Sequence, residues 1–126
     1  MLIKEQESVI LTTPKFPEVE PWSPLHQAVE MSEYEELASL LDSGADPNEI
    51  CFGFTLLQHA IELEGDSALQ SGTAVNAALT AIVLAYGADP NFTSDGGKTA
   101  LEMAQRYNHE PAIRLLNKFP GKRSAG

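Results

Sequence analysis

The chain of 126 residues has a single cysteine, Cys51, and a single tryptophan, Trp22. One cysteine cannot form an internal disulfide, which fits a reducing compartment. No apolar run approaches the roughly 20 residues that a membrane-spanning helix needs, and the most apolar stretch ends at Gly87. The first residues place acids before a short apolar run, unlike a signal peptide. We therefore expect a cytoplasmic protein that does not enter a membrane.

Positive charge is missing from most of the chain. Between Phe16 and Gly97 there is no Lys or Arg, against fourteen Asp or Glu, and the formal net charge is −10. Binding of nucleic acid through this stretch is disfavoured, because no cation there can replace the counterions of the phosphates. A cationic partner would be attracted to it, whereas the plainer interpretation is that acidity keeps a small domain soluble.

Complete motifs for catalysis, metals or nucleotides are also missing. The stretch DGGKT at 95–99 resembles the end of a phosphate-binding loop, but Phe92 stands where that loop requires its first glycine. The three histidines are far apart in sequence and lack paired ligands, so we expect no zinc site. Cys51 has no evident base beside it. We expect no catalytic residue, no metal, no cofactor and no small-molecule substrate.

The titratable residues have structural interpretations. His26 and His109 are expected to be structural turn residues. Two acidic groups, at 33–36 and at 62–66, could be paired carboxylates of a hydrolase, but solvated helix faces are the more common meaning of such runs. An enzyme built on residues 62–73 is the corresponding alternative.

The sequence repeats itself. LLDSGADPN at 40–48 recurs as VLAYGADPN at 83–91. Gly44 and Gly87 suit the left-handed residue after a helix, and a proline three residues later prevents the helix from continuing. Three other segments pair Ser or Thr with Leu two residues later and Ala five residues later. They are SPLHQA at 23–28, TLLQHA at 55–60 and TALEMA at 99–104.

These motifs predict helices. Ser23, Thr55 and Thr99 are suited to cap helix N-termini, and Ser32 with Glu35 predicts a capping box. Apolar residues at helical spacing fill the gaps between the motifs. The predicted stripes include Leu25, Ala28 and Val29; Leu37, Leu40 and Leu41; Leu57, Ala60 and Ile61; Leu79, Ile82, Val83 and Tyr86; and Leu101, Ala104, Ile113 and Leu116. Each helix-turn-helix unit buries its apolar face only by stacking on a neighbour.

The motifs resemble those of the ankyrin-repeat family, whose pattern is T-P-L-H-x-A, then G-H, an apolar residue and L-L, and then G-A-x-x-N. SPLHQA and SGADPN match this pattern, with the family's distance of 21 residues from Ser23 to Gly44. The resemblance implies an all-α fold, a solenoid of stacked helix-turn-helix units with extended turns. The implied organisation is an N-terminal flanking segment at 1–21, an ankyrin-repeat domain at 22–119 with units at about 22–52, 53–95 and 96–119, and a basic C-terminal tail at 120–126.

The middle unit departs from the family pattern. Thr55 and Gly87 are 32 residues apart, eleven more than the family distance. The extra length lies around 62–73, between the two helices of the unit, and either extends a helix or forms a loop. Because of this position, we expect that shortening residues 64–72 leaves the fold intact.

The resemblance also implies where a partner binds. Ankyrin repeats usually use a concave surface, formed by the turn before each Thr and the exposed side of the first helix. Carried over by position, the expected partner-binding residues are Trp22, Glu30, Met31, Cys51, Phe52, Phe54, Glu62, Leu63, Asp95, Lys98, Arg106 and Tyr107. Aromatic and Met anchors flanked by charge are typical of interface hot spots. The alternative for Trp22, Phe52 and Phe54 is burial beneath the N-terminal segment.

We therefore expect a non-catalytic module that binds another protein with a basic surface. The sharpest version, which depends on charge and size alone, is an acidic immunity-type inhibitor of a cationic toxin or effector. The alternatives are an adaptor or regulatory scaffold without inhibitory activity, and a stand-alone stress or scaffold protein without a tight partner.

Overall fold

The computed structural model describes residues 21–93 and 97–119, and these residues form six helices and one short hairpin. The elements are α1 (Pro24–Glu30), α2 (Tyr34–Asp42), β1 (Ile50–Cys51), β2 (Phe54–Thr55), α3 (Leu56–Ser71), α4 (Ala78–Ala85), α5 (Ala100–Arg106) and α6 (Glu110–Lys118). Among these helices, none is both long and apolar enough to cross a membrane. The predicted flanking residues 1–20, the predicted contact Asp95 and the tail at 120–126 lie outside the described residues.

The helices stack in two layers. One layer contains α1, α3 and α5, the other contains α2, α4 and α6, and each helix of the first layer packs on the next helix along the chain. Between the layers lies a core of large aliphatic residues with alanines where helices approach closely. Its most buried members include Val29, Leu37, Leu56, Ile61, Leu79, Val83, Ala60, Ala104 and Ala112. The predicted fold of stacked helix-turn-helix units is therefore confirmed.

The three predicted helix caps are present. The Ser23 hydroxyl accepts a hydrogen bond from the His26 amide. Thr55 and Thr99 do the same for the third residue of their helices, and in both cases that residue returns the bond to the amide of the cap. These capping boxes explain why Gln58 and Glu102 occupy the family's histidine position, because a Gln or Glu there satisfies a further backbone donor. The sequence signal for these capping boxes was the spacing T-x-x-Q at 55–58 and T-x-x-E at 99–102.

Both GADPN segments form the same loop. Gly44 and Gly87 have positive φ angles of 111° and 101°, as their predicted role requires. The Asp46 carboxylate accepts the amide of Asn48, and the Asn48 side chain accepts the amide of Asp89 at 2.8 Å. The repeated asparagine thus links one loop to the next along the stack.

Some sequence predictions are wrong in detail. Within the described part of the chain no side chain caps α2, whose N-cap is Glu33. Ser32 instead has a positive φ of 54° and donates its amide to Val29, so that it closes α1 rather than opening α2. Tyr86 and Leu101 are exposed, at 39% and 37%, and do not belong to the core.

The extra length of the middle unit mainly extends a helix. The first helix of this unit, α3, has 16 residues against seven in α1 and in α5, and it ends at Gly72 in the left-handed conformation. Glu64 and Gly65 in this extension are buried. The premise that these residues lie between the two helices is therefore wrong, and so is a solvated face for Glu64. That shortening 64–72 leaves the fold intact stays an untested prediction, which the burial of Glu64 and Gly65 argues against.

Glu64 replaces the missing cap of α4. The N-cap of α4 is Ala77, which has no side chain to accept a hydrogen bond. The Glu64 carboxylate accepts the amides of Leu79 and Thr80, at 2.8 and 3.1 Å, and the Thr80 hydroxyl at 2.7 Å. A carboxylate at the first turn satisfies free backbone donors and interacts favourably with the helix dipole. The extended helix thus positions its neighbour.

Candidate functional site

The tip of the hairpin has an unusual backbone. Phe52 and Gly53, with φ angles of 52° and 82°, form a two-residue turn between the paired residues Cys51 and Phe54. Positive φ at both positions defines a type I′ turn, for which Asn-Gly is the usual sequence. A residue with a Cβ atom in this region costs about 1–2 kcal/mol. The hairpin therefore holds a phenylalanine, 55% exposed, in a conformation that disfavours it.

Three aromatic side chains, which we call the aromatic face, meet at this tip. The ring centre of Trp22 lies 5.1 Å from that of Phe52, with the planes at 68° in an edge arrangement. The ring centre of Phe54 lies 6.5 Å from that of Trp22, with the planes at 48°. Trp22 and Phe54 are half-buried. The fold thus brings together residues that the sequence predicted separately as contacts.

A pair of buried histidines lies beneath the aromatic face. The Trp22 ring stacks on His59 with centres 4.3 Å apart and planes at 27°, and its centre is 5.8 Å from that of His26. The two Nδ1 atoms of the histidines are 2.9 Å apart. His26 and His59 are therefore in contact, although they are far apart in sequence. The sequence signal for this contact was a histidine at nearly the same position in two neighbouring units. His26 lies three residues after Ser23, and His59 lies four residues after Thr55.

Both histidines also bind a group from another element. Nε2 of His26 lies 3.1 Å from the Glu49 carbonyl oxygen, and Nε2 of His59 lies 2.9 Å from Oε1 of Glu30. The Glu30 side chain is 40% exposed. Burial lowers the pKa of His26, an effect that the Glu49 carbonyl opposes and the nearby His59 strengthens. The predicted contact Glu30 is therefore held by a buried histidine while it still reaches solvent.

A groove of about 240 Å³, which we call the central groove, continues from the aromatic face toward the third unit. The Gln58 side chain donates to the Lys98 carbonyl oxygen and joins the two units below it. One acid and two cations meet here, so the charge of the groove is mixed. The lining residues are Gly53, Phe54, Gln58, Glu62, Gly97, Lys98, Met103 and Arg106.

The other predicted contacts lie elsewhere. Leu63 lines a separate pocket together with Tyr34 and Ser67. Tyr107 packs on the α3 backbone at Gly65, and its pKa is raised by burial and further by Glu62 and Asp66, against a smaller opposite effect of Arg106.

Two further predicted contacts lie near the aromatic face in sequence. Met31 is exposed at the end of α1, and Cys51 is a half-buried free thiol in β1.

Within residues 21–93 and 97–119, no three His, Cys, Asp or Glu side chains converge as a metal site requires.

Comparisons with known proteins agree with this architecture. The family model described as ankyrin repeat matches residues 22–51. A crystal structure of an ankyrin repeat domain from Acinetobacter baumannii AYE has a TM-score of 0.63 and 29% sequence identity, and the match covers 78% of this chain. It covers 47% of that chain, so this protein spans about half of the length of its structural relative. A search of curated proteins found no significant match. The chain therefore contains an ankyrin repeat at residues 22–51 and has the fold of ankyrin-repeat domains, and such repeats indicate a protein–protein interaction module.

Proposed function

We propose that this protein binds a partner protein on the concave face that the aromatic face and the central groove form, and that it does so without catalysis. The observation that carries the proposal is Phe52, which is exposed in a left-handed turn. Asparagine would occupy the position with less strain, so the backbone conformation of the turn does not explain the phenylalanine. Strained residues of this kind concentrate at sites of recognition.

The aromatic face has the properties of a binding anchor. Trp22 lies on His59 and packs against Phe52 in an edge arrangement, so that its position is set before a partner arrives. A prepositioned aromatic group loses little conformational entropy on binding, and buried aromatic anchors dominate interface energies. The proposed contacts are the sequence-predicted set, with Trp22, Phe52 and Phe54 at the centre and Glu30, Met31, Cys51 and Glu62 around them. Lys98 and Arg106 continue the set along the central groove, whereas Leu63 and Tyr107 lie elsewhere and Asp95 lies outside the described residues.

The charges support a partner with basic groups. Glu30 reaches solvent beside the aromatic face, and Glu62 lines the central groove. With a net charge of −10, the protein attracts a cationic partner over a distance and accelerates encounter. Lys98 and Arg106 line the same groove and can pair with an acidic group of the partner.

In its sharpest form, the proposal is that the partner is a cationic toxin or effector and that binding inhibits it. The lack of Lys and Arg between residues 16 and 97 supports this version. An adaptor or regulatory scaffold would use the same face without inhibition. The activity of the captured partner, measured with and without an excess of this chain, distinguishes the two.

The test begins with capture of a partner from the native host by the wild-type chain, followed by titration calorimetry with the purified pair. Phe52→Asn should weaken binding at least about tenfold, which is about 1.4 kcal/mol. Phe92→Asn is the matched control, because Phe92 is also an exposed phenylalanine but lies outside the proposed contact set. Binding should also weaken with added salt. Equal losses for the two variants, or unchanged binding by Phe52→Asn, would contradict the proposed face.

A further inference from the structure

We propose that His26 and His59 form a proton-binding site beneath the aromatic face, which holds one proton in excess of the two neutral rings and pairs it with the Glu30 carboxylate. Both rings are buried beneath the surface that is proposed to contact a partner, and Glu30 reaches from the site to that surface. Its ligand is the proton itself, and its existence does not require a partner.

The proposal follows from counting the protons that the contacts need. His26 Nε2 must donate to the Glu49 carbonyl, because a carbonyl oxygen only accepts. His59 Nε2 must donate to the Glu30 carboxylate, which also accepts. The contact of 2.9 Å between the two Nδ1 atoms needs one more proton. Three protons are required, whereas two neutral imidazoles carry two.

A pair of neutral rings would leave one of these contacts unsatisfied. Either the two Nδ1 lone pairs would face each other, or a ring nitrogen without a proton would face an oxygen of Glu49 or Glu30. An unmatched polar contact in a buried site costs about 1–3 kcal/mol. The Glu30 side chain reaches solvent, where carboxyl groups are ionised near neutral pH. The third proton therefore belongs to the imidazoles.

The surroundings assign the positive charge to His59. This ring contacts the Glu30 carboxylate and stacks on Trp22, and both arrangements favour a cation. His26 remains neutral with its proton on Nε2, since burial lowers the pKa of this ring. The charged groups that face the pair are Glu30 from α1 and Glu49 from the segment before β1. Both groups favour binding of the first extra proton, whereas repulsion between two charged rings opposes binding of a second.

The proton state connects directly to the aromatic face. Trp22 lies on His59, and Phe52 packs against Trp22 in an edge arrangement. Loss of the proton as pH rises removes one of the three hydrogen bonds and the attraction between the imidazolium and the indole. The position of Trp22 should then change, and with it the surface beside Glu30. An effect of pH on partner affinity rests on the proposed function, whereas the proton site itself does not.

The direct test is NMR of the free protein labelled with ¹⁵N-histidine, over about pH 5–8, where histidines titrate. With three histidines in the chain, assignment is simple. At the acidic side of this range His59 should show two protonated nitrogens and His26 only Nε2. The pair should lose one proton as pH rises. Two rings that titrate independently near the ordinary value of 6.5, or a pair that stays neutral throughout, would overturn the proposal.

A second test uses Glu30→Gln, which keeps the size of the side chain and removes its charge. Proton loss from the pair should move to lower pH by roughly half to one unit, less than for a buried pair because Glu30 is partly exposed. The control is Glu35→Gln, which removes the same charge from an exposed position on α2. The fluorescence of Trp22 should change with the midpoint of the pair in each protein. An unchanged midpoint in Glu30→Gln, or an equal shift in both variants, would contradict the assigned pairing. These measurements need no partner, so they succeed or fail independently of the proposed function.

Discussion

Nε2 of His109 lies 2.8 Å from Oε1 of Glu64, although 45 residues separate them in the chain. Nδ1 of the same ring accepts the Ala112 amide, so the ring proton is on Nε2 and is donated to the carboxylate. Both residues are buried. Glu64 in α3 therefore holds the first turn of α4 through both carboxylate oxygens and the start of α6 through Oε1.

Glu64→Gln should lower the free energy of unfolding by roughly 2–4 kcal/mol. The carboxylate accepts four hydrogen bonds, whereas the amide has one accepting oxygen and places an NH₂ group against backbone donors. Urea unfolding followed by circular dichroism measures the change. Asp66→Asn, an exposed site two residues later, is the control and should change stability by less than about 0.5 kcal/mol. Similar losses in both variants would show that Glu64 has no special role.

The effect of Gly65→Ala on the free energy of unfolding should change sign when the Tyr107 ring is removed. A Cβ atom at Gly65 would lie 2.5 Å from Cγ of Tyr107, so the ring must move. Gly65→Ala alone should destabilise the protein by about 1–3 kcal/mol. In a Tyr107→Ala background the same change should be neutral or stabilise by up to about 1 kcal/mol, because alanine is the better helix former. A double-mutant cycle by urea unfolding measures the coupling, and additive effects would refute the contact.

The sequence predicted the features that recur. Helix caps at Ser23, Thr55 and Thr99 and left-handed glycines after the second helices follow from local chemistry that each unit repeats. Stacking followed from the same repetition, because a single unit cannot bury its own apolar face. Local signals of this kind act over a few residues and can be recognised without knowledge of the contacts between units.

The features that occur once were the ones missed. Glu64 was interpreted as solvated, because its partners lie 15, 16 and 45 residues away and no local pattern shows them. The contact of His26 with His59 depends on how two neighbouring units stack, across 33 residues. The strain at Phe52 depends on a turn type that the dipeptide Phe-Gly does not predict. Predicting each of these features requires the distances between elements of the fold. The identities of neighbouring residues in the sequence are not sufficient.

Two substitutions at Phe52 separate backbone strain from lost contacts. Both Phe52→Ala and Phe52→Asn remove the ring and its edge contact with Trp22, which is worth about 0.5–1.5 kcal/mol. Asparagine tolerates the left-handed turn better than alanine. We expect Phe52→Asn to change the free energy of unfolding by less than about 1 kcal/mol and to be more stable than Phe52→Ala. Partner binding should be lost in both. If alanine is the more stable variant, the turn is not strained in the way described.

His26, the neutral member of the histidine pair, predicts a contribution that lowers stability in mild acid. Burial places the pKa of His26 below 6.5, its ordinary value, so below about pH 6.5 the unfolded chain binds a proton at this residue that the native protein rejects. The unfolded state then holds more protons, and the free energy of unfolding falls as pH falls, by at most about 1.4 kcal/mol per pH unit.

His26→Gln should remove this part of the pH dependence, because the proton difference disappears while the amide can still donate to the Glu49 carbonyl. Urea unfolding of both proteins between about pH 7.5 and 5 gives the comparison, above the range in which most carboxylates titrate. His109 is present in both proteins, so its contribution cancels. The stability difference between wild type and variant should shrink as the solution is acidified. A difference that stays constant, or grows, would show that the native pair accepts a second proton without cost.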